Sequence, residues 1–492
     1  METLKEKTAK GLFWGGMNNG VQQLLGLAFG IVLGRLLDPS DYGMTAMLAV
    51  FSVIANELQA SGFKTGLINL KALKHEDYNA VFWFNIMAGC VLYVVLFFSA
   101  PLIAAYYHQP ALIPLSRYVF LGFVFSSFGM AQSAYMTKQM QIKRIAQCGM
   151  TATLTSSIIS VILAALGFGY WALATQYLAY IAVNTLLLWH FSPWRPSFSP
   201  LTTHLSPLKR LFPFSVRIMI SAIVTQVNVN IMNLLLGRYY GETMTGHYNK
   251  AYEWSSKGFL LVGNMLKQVD QTVLVGLGDE RERQLQVLRK MVRFTAFISF
   301  PLLFGLGLVS HEFIVLAIGE KWAFSASLLP LLCLCGAFMP LSTLLTDAVI
   351  SHQRSDIYLW NTLVLGIIQV LLLVGLWRQG IFTMVIAYTV LNIAWVLVWH
   401  FFVNQLMNYR LTDFLKDILP FALAAAAVMA VTGVVTELIV DGLWFIGDYI
   451  GLWALLLSRV VIATGLYYVV MRLSGAVILK ECMAFIFRRG TS

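Results

Sequence analysis

The chain is 492 residues long, 58% hydrophobic and only 12% charged, with a formal net charge of +11 and a mean hydropathy of +0.73. That much apolar surface cannot face water, which excludes a soluble globular protein and points to an integral membrane protein. The apolar blocks run for about 18 to 28 residues, which suits helices crossing a hydrocarbon core and is too long for the strands of a β-barrel.

In chain order the pattern predicts fourteen spans, at 11–35, 42–62, 80–105, 111–134, 145–166, 170–190, 213–236, 247–274, 291–310, 325–350, 357–377, 381–404, 414–437 and 447–471. The short connections leave no room for a soluble domain. The basic KEKTAK start precedes a full-length span with no small-residue cleavage site, so the first block is expected to be a transmembrane helix and not a cleaved signal. Alternate loops collect Lys and Arg (Lys64, Lys71 and Lys74; Lys138, Lys143 and Arg144; Arg281 to Arg293), which places them and both termini in the cytoplasm. The positive charge is then a topology signal and a contact with anionic headgroups, with no nucleic-acid partner expected. Cys333 and Cys335 stand two apart on one helix and point to different sides, so neither a disulfide nor a metal site is expected there.

Two phrases repeat. LGRLLDPSDYG (33–43) returns as LGRYYGETMTGHYN (236–249), and GYWALATQYLAY from Gly169 returns as GIFTMVIAYTVL from Gly380. Similar offsets in the same order predict an all-α protein with two six-helix lobes related by a pseudo-two-fold axis along the membrane normal. The expected divisions are a lobe at 1–190, a cytoplasmic linker at 191–212, a lobe at 213–404, and two appended helices with a tail at 405–492. Such bundles hold a cavity between lobes and act as transporters.

Polar residues within spans are candidates for lining that cavity. Asn18 and Gln22 on the first span, and Gln226 and Asn230 on the seventh, lie at equivalent depths; holding helices together is their alternative role. The eighth span carries a stripe at three- and four-residue spacing that includes Lys250, Glu253, Trp254 and Lys257. Arg117 lies about two turns into the fourth span. Arg459 is expected to pair locally or to reach toward the surface. Several cations in an amphipathic chamber suit an anionic phosphate or diphosphate, and amides with aromatic rings suit sugars.

GRLLDPSDYG (34–43), GRYYGETMTGHYNKAY (237–252), GFGYWALATQY (167–177) and GEKWAFSASLLPLLCLCG (319–336) together resemble the bacterial polysaccharide exporters, the Wzx-type flippases of the multidrug/oligosaccharidyl-lipid/polysaccharide superfamily, in the colanic acid and lipopolysaccharide branch. The resemblance covers nearly the whole chain. It implies an inner-membrane flippase that moves undecaprenyl-diphosphate-linked oligosaccharide by alternating access, with membrane lipids, a polysaccharide polymerase and chain-length machinery as further partners. It makes Arg117, Lys250 and Lys257 candidate contacts for the diphosphate or an acidic sugar. No cofactor is implied; proton or sodium coupling is, with Glu57, Glu253 and Asp347 as the acids to examine, Glu253 having the alternative role of neutralising its lysine neighbours. A lipid II flippase and a multidrug antiporter of the same superfamily are rival readings. A polymerase or ligase would need a large outer loop with catalytic side chains, and HExxH and GxSxG are both missing, so no enzymatic activity is expected.

Overall fold

The computed structural model describes residues 4–60, 75–197, 205–276, 281–352, 354–440, 448–476 and 478–479; the side chains of 4–19, 205–221, 266–276 and a few at helix ends lie outside that description. Asn18, the basic segment 64–74 and the lower part of the polar stripe beyond 265 therefore fall outside it as well.

All regular structure in the described residues is helical. The first seven helices are α1 (Leu4–Leu36), α2 (Pro39–Ala60), α3 (His75–Tyr107), α4 (Leu112–Ser127), α5 (Met130–Lys138), α6 (Ile142–Ala165) and α7 (Tyr170–Phe191). Next comes α8 (Leu205–Gly276), which contains a break at Gly241, and then α9 (Arg281–Leu308), α10 (Ser310–Ile318), α11 (Ala323–Ser351), α12 (Ser355–Leu376), α13 (Ile381–Met407), α14 (Leu411–Val440) and α15 (Asp448–Leu473). The expected blocks fall largely on these helices; the fourth crosses the break between α4 and α5, and positions 61–62 and 447 lie outside the described residues. Among the described residues nine helices are long and apolar enough to cross a membrane, or ten with α4 and α5, bent by 42°, as one span. The other four blocks lie on α1, α2 and α8, which carry most of the polar residues singled out above.

The chain divides into two compact units, Met1–Gly246 and His247–Ser492. In the first unit the core is built where α2, α3, α4 and α7 meet, with Met47, Leu112, Leu115, Phe120 and Phe123 almost wholly buried. Gln59 of α2 is buried in this apolar setting and fully bonded, its Nε2 donating to the Phe123 carbonyl at 2.7 Å and its Oε1 accepting from Ser126 Oγ at 2.9 Å. An unpaired amide there would be strongly unfavourable, so Gln59 fixes how α2 lies on α4.

The turn between α1 and α2 follows from its sequence. Pro39 takes the first helical position, where its missing N–H is no loss, and Asp41 accepts the Asp38 N–H at 3.0 Å. The two copies of the repeated phrase meet in space within this unit. A Cβ on Gly43 would stand 1.7 Å from the carbonyl oxygen of Glu242, and one on Gly246 would stand 1.7 Å from that of Pro39. Beside them Gly237 packs on Tyr107 and Met47, and Arg238 donates to the Tyr106 carbonyl at 2.6 Å and contacts His108 Nε2. The glycines recur because two backbones touch there.

In the second unit α9 packs on α11 and α14, and α11 packs on α13. Small residues again allow close approach: Ser299 Oγ donates to the Ala337 carbonyl at 2.8 Å, and Gly336 lies against Ser255 and Leu303. α14 and α15 are clamped at two places. Asp417, 1% exposed, accepts Arg289 Nε and Tyr409 Oη, each at 2.8 Å, and also Arg293 Nε. Burial raises the Tyr409 hydroxyl well above its usual pKa, so it stays protonated as the donor. Farther along, Arg459 of α15 donates to Glu312 Oε1 of α10 at 2.8 Å, to the Leu308 carbonyl at 3.1 Å and to Thr436 Oγ1 at 3.2 Å. Arg459 thus pairs locally, with a helix, α10, that hydropathy alone did not separate from its neighbours.

Candidate functional site

The expected site residues fall in both units. In the first, Arg117 is half-buried near the start of α4; its guanidinium lies 4.1 Å from the Phe97 ring centroid on α3, and its Nε donates to the Phe97 carbonyl at 3.4 Å. The ring face and the carbonyl dipole stabilise the cation, and among the described residues no ion pair to a carboxylate is seen. Gln22, Gln226 and Asn230 are half-buried, and Asn230 Nδ2 donates to the Gln226 carbonyl one turn earlier at 3.0 Å. Glu57 is half-buried on α2 and has no hydrogen-bond or ion-pair partner among the described residues. Asn18 lies outside the described side chains.

In the second unit the helix past Gly241 brings four expected residues together. Gly241 takes φ 78° and ψ −174°, a conformation open to glycine, and Thr245 Oγ1 returns to its carbonyl at 2.8 Å to start the next helical stretch. Tyr248, Ala251, Trp254, Ser255 and Val262 then recur on one buried face. Ser255 Oγ donates to the Leu332 carbonyl at 2.9 Å, and His247 Nδ1 lies 2.9 Å from Ser325 Oγ, joining that face to α11.

Lys250, Glu253 and Lys257 occupy successive turns at the edge of this face. Glu253 accepts Lys250 Nζ at 3.1 Å through Oε2 and Lys257 Nζ at 2.7 Å through Oε1. Lys250 is 1% exposed, whereas Lys257 is 24% and Glu253 35% exposed. Trp322 stands 5.9 Å from Lys250 Nζ, and the Trp254 ring lies 4.4 Å from Lys257 Nζ. A buried ammonium needs a counter-charge, which Glu253 supplies to Lys250; the second lysine leaves the trio with a net charge of +1 on its accessible side. Trp254 is buried beneath Lys257 and edge-on to Phe313, their centroids 4.8 Å apart. Asp347 is half-buried on α11.

The residues that sequence reasoning did not select are Gln59, Glu312 and Asp417. For Asp417 a signal existed: Arg289 and Arg293, like Asp413 and Asp417, are four residues apart, a spacing that places each pair on one helix face. Among the described residues no group of three or more His, Cys, Asp or Glu side chains is placed to hold a metal ion.

The sequence profile of the family described as "Polysaccharide biosynthesis protein" matches residues 32–327, more than half of the chain. Lipopolysaccharide biosynthesis protein WzxC of Escherichia coli (strain K12) is 28% identical over 361 residues, covering 72% of both chains. Teichuronic acid biosynthesis protein TuaB of Bacillus subtilis (strain 168) is 24% identical over 449 residues, 88% of this chain and 90% of its own. Succinoglycan biosynthesis transport protein ExoT of Rhizobium meliloti (strain 1021) is 24% identical over 67% of this chain and 66% of its own. In fold, the inward closed structure of lipid II flippase MurJ superposes with a TM-score of 0.70 at 14% identity, covering 94% of this chain and 99% of its own. An inward-facing multidrug resistance MATE family transporter of the MOP superfamily follows at TM-score 0.63 and 15% identity, covering 79% and 94%.

Proposed function

The chain belongs to the polysaccharide biosynthesis protein family, and on that premise we propose that this multi-pass membrane protein is a flippase for undecaprenyl-diphosphate-linked oligosaccharide repeat units. It works by alternating access in the bacterial cytoplasmic membrane and serves surface polysaccharide assembly. The observation that carries the reading is the extent of the likeness: relatives named for lipopolysaccharide, teichuronic acid and succinoglycan biosynthesis align over two thirds or more of the chain. The fold shared with a lipid II flippase over 94% of the chain supports it.

In this reading the chain crosses the bilayer fourteen times with both termini in the cytoplasm, the lobes being 1–190 and 213–404, joined by a linker at 191–212 and followed by helices 13 and 14 and a tail at 405–492. Arg117 and Lys257 contact the diphosphate, Lys250 supports Lys257 through the shared Glu253, and Gln22, Gln226, Asn230, Trp254 and Asn18 line the path of the sugars. Glu57 and Asp347 are the acids for proton or sodium coupling. A polymerase and chain-length machinery receive the product.

Deletion of the gene in its host tests this. The expected result is loss of surface polysaccharide together with accumulation of the lipid-linked repeat unit in the inner leaflet. A deletion strain with normal surface polysaccharide and no accumulated intermediate overturns the reading, and a strain that stops making peptidoglycan instead identifies a lipid II flippase.

A further inference from the structure

At one end of the first unit, the start of α3, the end of α5 and the segment after α7 enclose a cavity of about 600 Å³. Its wall carries Lys138, Arg195 and His75, with the rings of Tyr78, Tyr135 and Trp194 between them. Glu76 and Asp77, in the first turn of α3, are not part of that wall.

The cavity is built, not a chance gap beside a loose loop. Trp83 Nε1 donates to the Ser197 carbonyl at 3.1 Å, and the Ser197 N–H donates to Oδ1 of the buried Asn79 at 3.0 Å, tying the segment after α7 to α3. Trp194 packs against His75 with centroids 5.7 Å apart, and Tyr78 packs against Tyr135 at 5.5 Å. Arg195 donates to the carbonyls of Ser192 and Trp194, neutral acceptors that fix its guanidinium, and among the described residues it has no ion pair.

We propose that this cavity binds the phosphate group of an anionic membrane lipid, with Lys138 and Arg195 as its cationic contacts. Three features favour a lipid over a soluble phosphate. The cavity lies at the ends of helices long enough to cross the bilayer, where Tyr and Trp gather at headgroup depth. It lies at the end that Lys and Arg assign to the cytoplasm, where anionic lipids concentrate. Beside its wall, Met140 holds its apolar side chain 48% exposed at φ 54°, next to where the lipid's glycerol and acyl chains would lie.

The test uses the full-length protein purified in detergent, with native mass spectrometry to follow the tightest-bound equivalent of phosphatidylglycerol and phosphatidylcholine as the uncharged control. The double variant Lys138→Gln/Arg195→Gln is expected to hold phosphatidylglycerol about thirtyfold more weakly, from the loss of two cations facing the headgroup, while Lys138→Arg/Arg195→Lys retains it. If the glutamine variant does not fold, His75→Glu at an exposed position carries the test, since it introduces a negative charge into the wall and must weaken the same equivalent. Unchanged binding by either folded variant, or wild-type binding of phosphatidylcholine as tight as phosphatidylglycerol, overturns the site. Displacement of phosphatidylglycerol by millimolar inorganic phosphate overturns the lipid as its occupant. None of these readouts measures export, so the site and the flippase reading fail or stand separately.

Discussion

Substituting alanine for Gly43 or Gly246 measures how closely the two copies of the repeated phrase are pressed together. In each case the added Cβ would start 1.7 Å from a backbone carbonyl oxygen, against the 3.0 Å below which real Cβ atoms are essentially never found. No side chain can rotate aside, so the backbones themselves must part. Overpacking of this kind costs about 3 kcal/mol, the upper part of the usual range. Alanine in a helix returns up to about 1 kcal/mol of propensity, so a net loss of about 2 kcal/mol is expected. Gly26→Ala is the control: nothing lies within 4 Å of its Cβ, so the same exchange should be neutral or stabilising. The double variant should lose less than the sum of the single losses, because parting the backbones once relieves both contacts. Thermal unfolding of the purified protein in one detergent reads all four changes. The reasoning is refuted if Gly43→Ala melts at or above the wild-type temperature, or if the two single losses add in full.

The remaining predictions concern charge. Asp417→Asn removes the buried carboxylate between two arginines that are themselves 28% and 45% exposed, so the loss of stability should be about 2 kcal/mol, below the 3 to 5 of a fully buried pair; Tyr409→Phe should cost about 1 kcal/mol, both measured by unfolding. Glu253→Gln removes the carboxylate that Lys250 and Lys257 share and should lower stability by about 2 kcal/mol, Glu253 itself being 35% exposed. Lys257→Gln breaks a partly exposed pair, so stability should change by less than about 1 kcal/mol, while surface polysaccharide falls at normal protein abundance. For Arg459 and Glu312, 11% and 6% exposed, a double-mutant cycle with Arg459→Met and Glu312→Leu should return a coupling of about 2 kcal/mol; additive losses would show that their contact contributes nothing.

The helices were legible because a span announces itself locally, by length and apolarity: α6, α7, α13 and α15 begin and end within a few residues of where the hydropathy pattern puts them. The Lys250–Glu253–Lys257 trio was legible for the same reason, since three- and four-residue spacing on one helix already sets its distances. Pairing between helices was not legible. The four-residue spacings put Arg289 with Arg293 and Asp413 with Asp417 on one helix face each, yet they do not say that faces more than a hundred residues apart will meet, and α10 stayed hidden because its apolar residues read as a continuation of α9. The repeat showed that two segments are alike, yet not that they touch; that required Gly43 and Gly246 to be seen against carbonyl oxygens.

Burial divides the trio on α8 into two roles. Lys250, at 1% exposed, has no approach for a ligand, and Glu253 stands beside it as a counter-charge. Lys257 shares the same carboxylate from the accessible side, with the Trp254 face beneath its ammonium. In the proposed reading, a diphosphate that draws Lys257 away leaves Glu253 and Lys250 as a neutral pair, so one cation is surrendered without leaving the carboxylate unpaired. A lone lysine there would have to be desolvated afresh at each release, and a lone lysine–glutamate pair would present no net charge to an anion. Two lysines around one carboxylate satisfy both requirements, so in the proposed reading the third charged residue belongs to the site without touching the substrate.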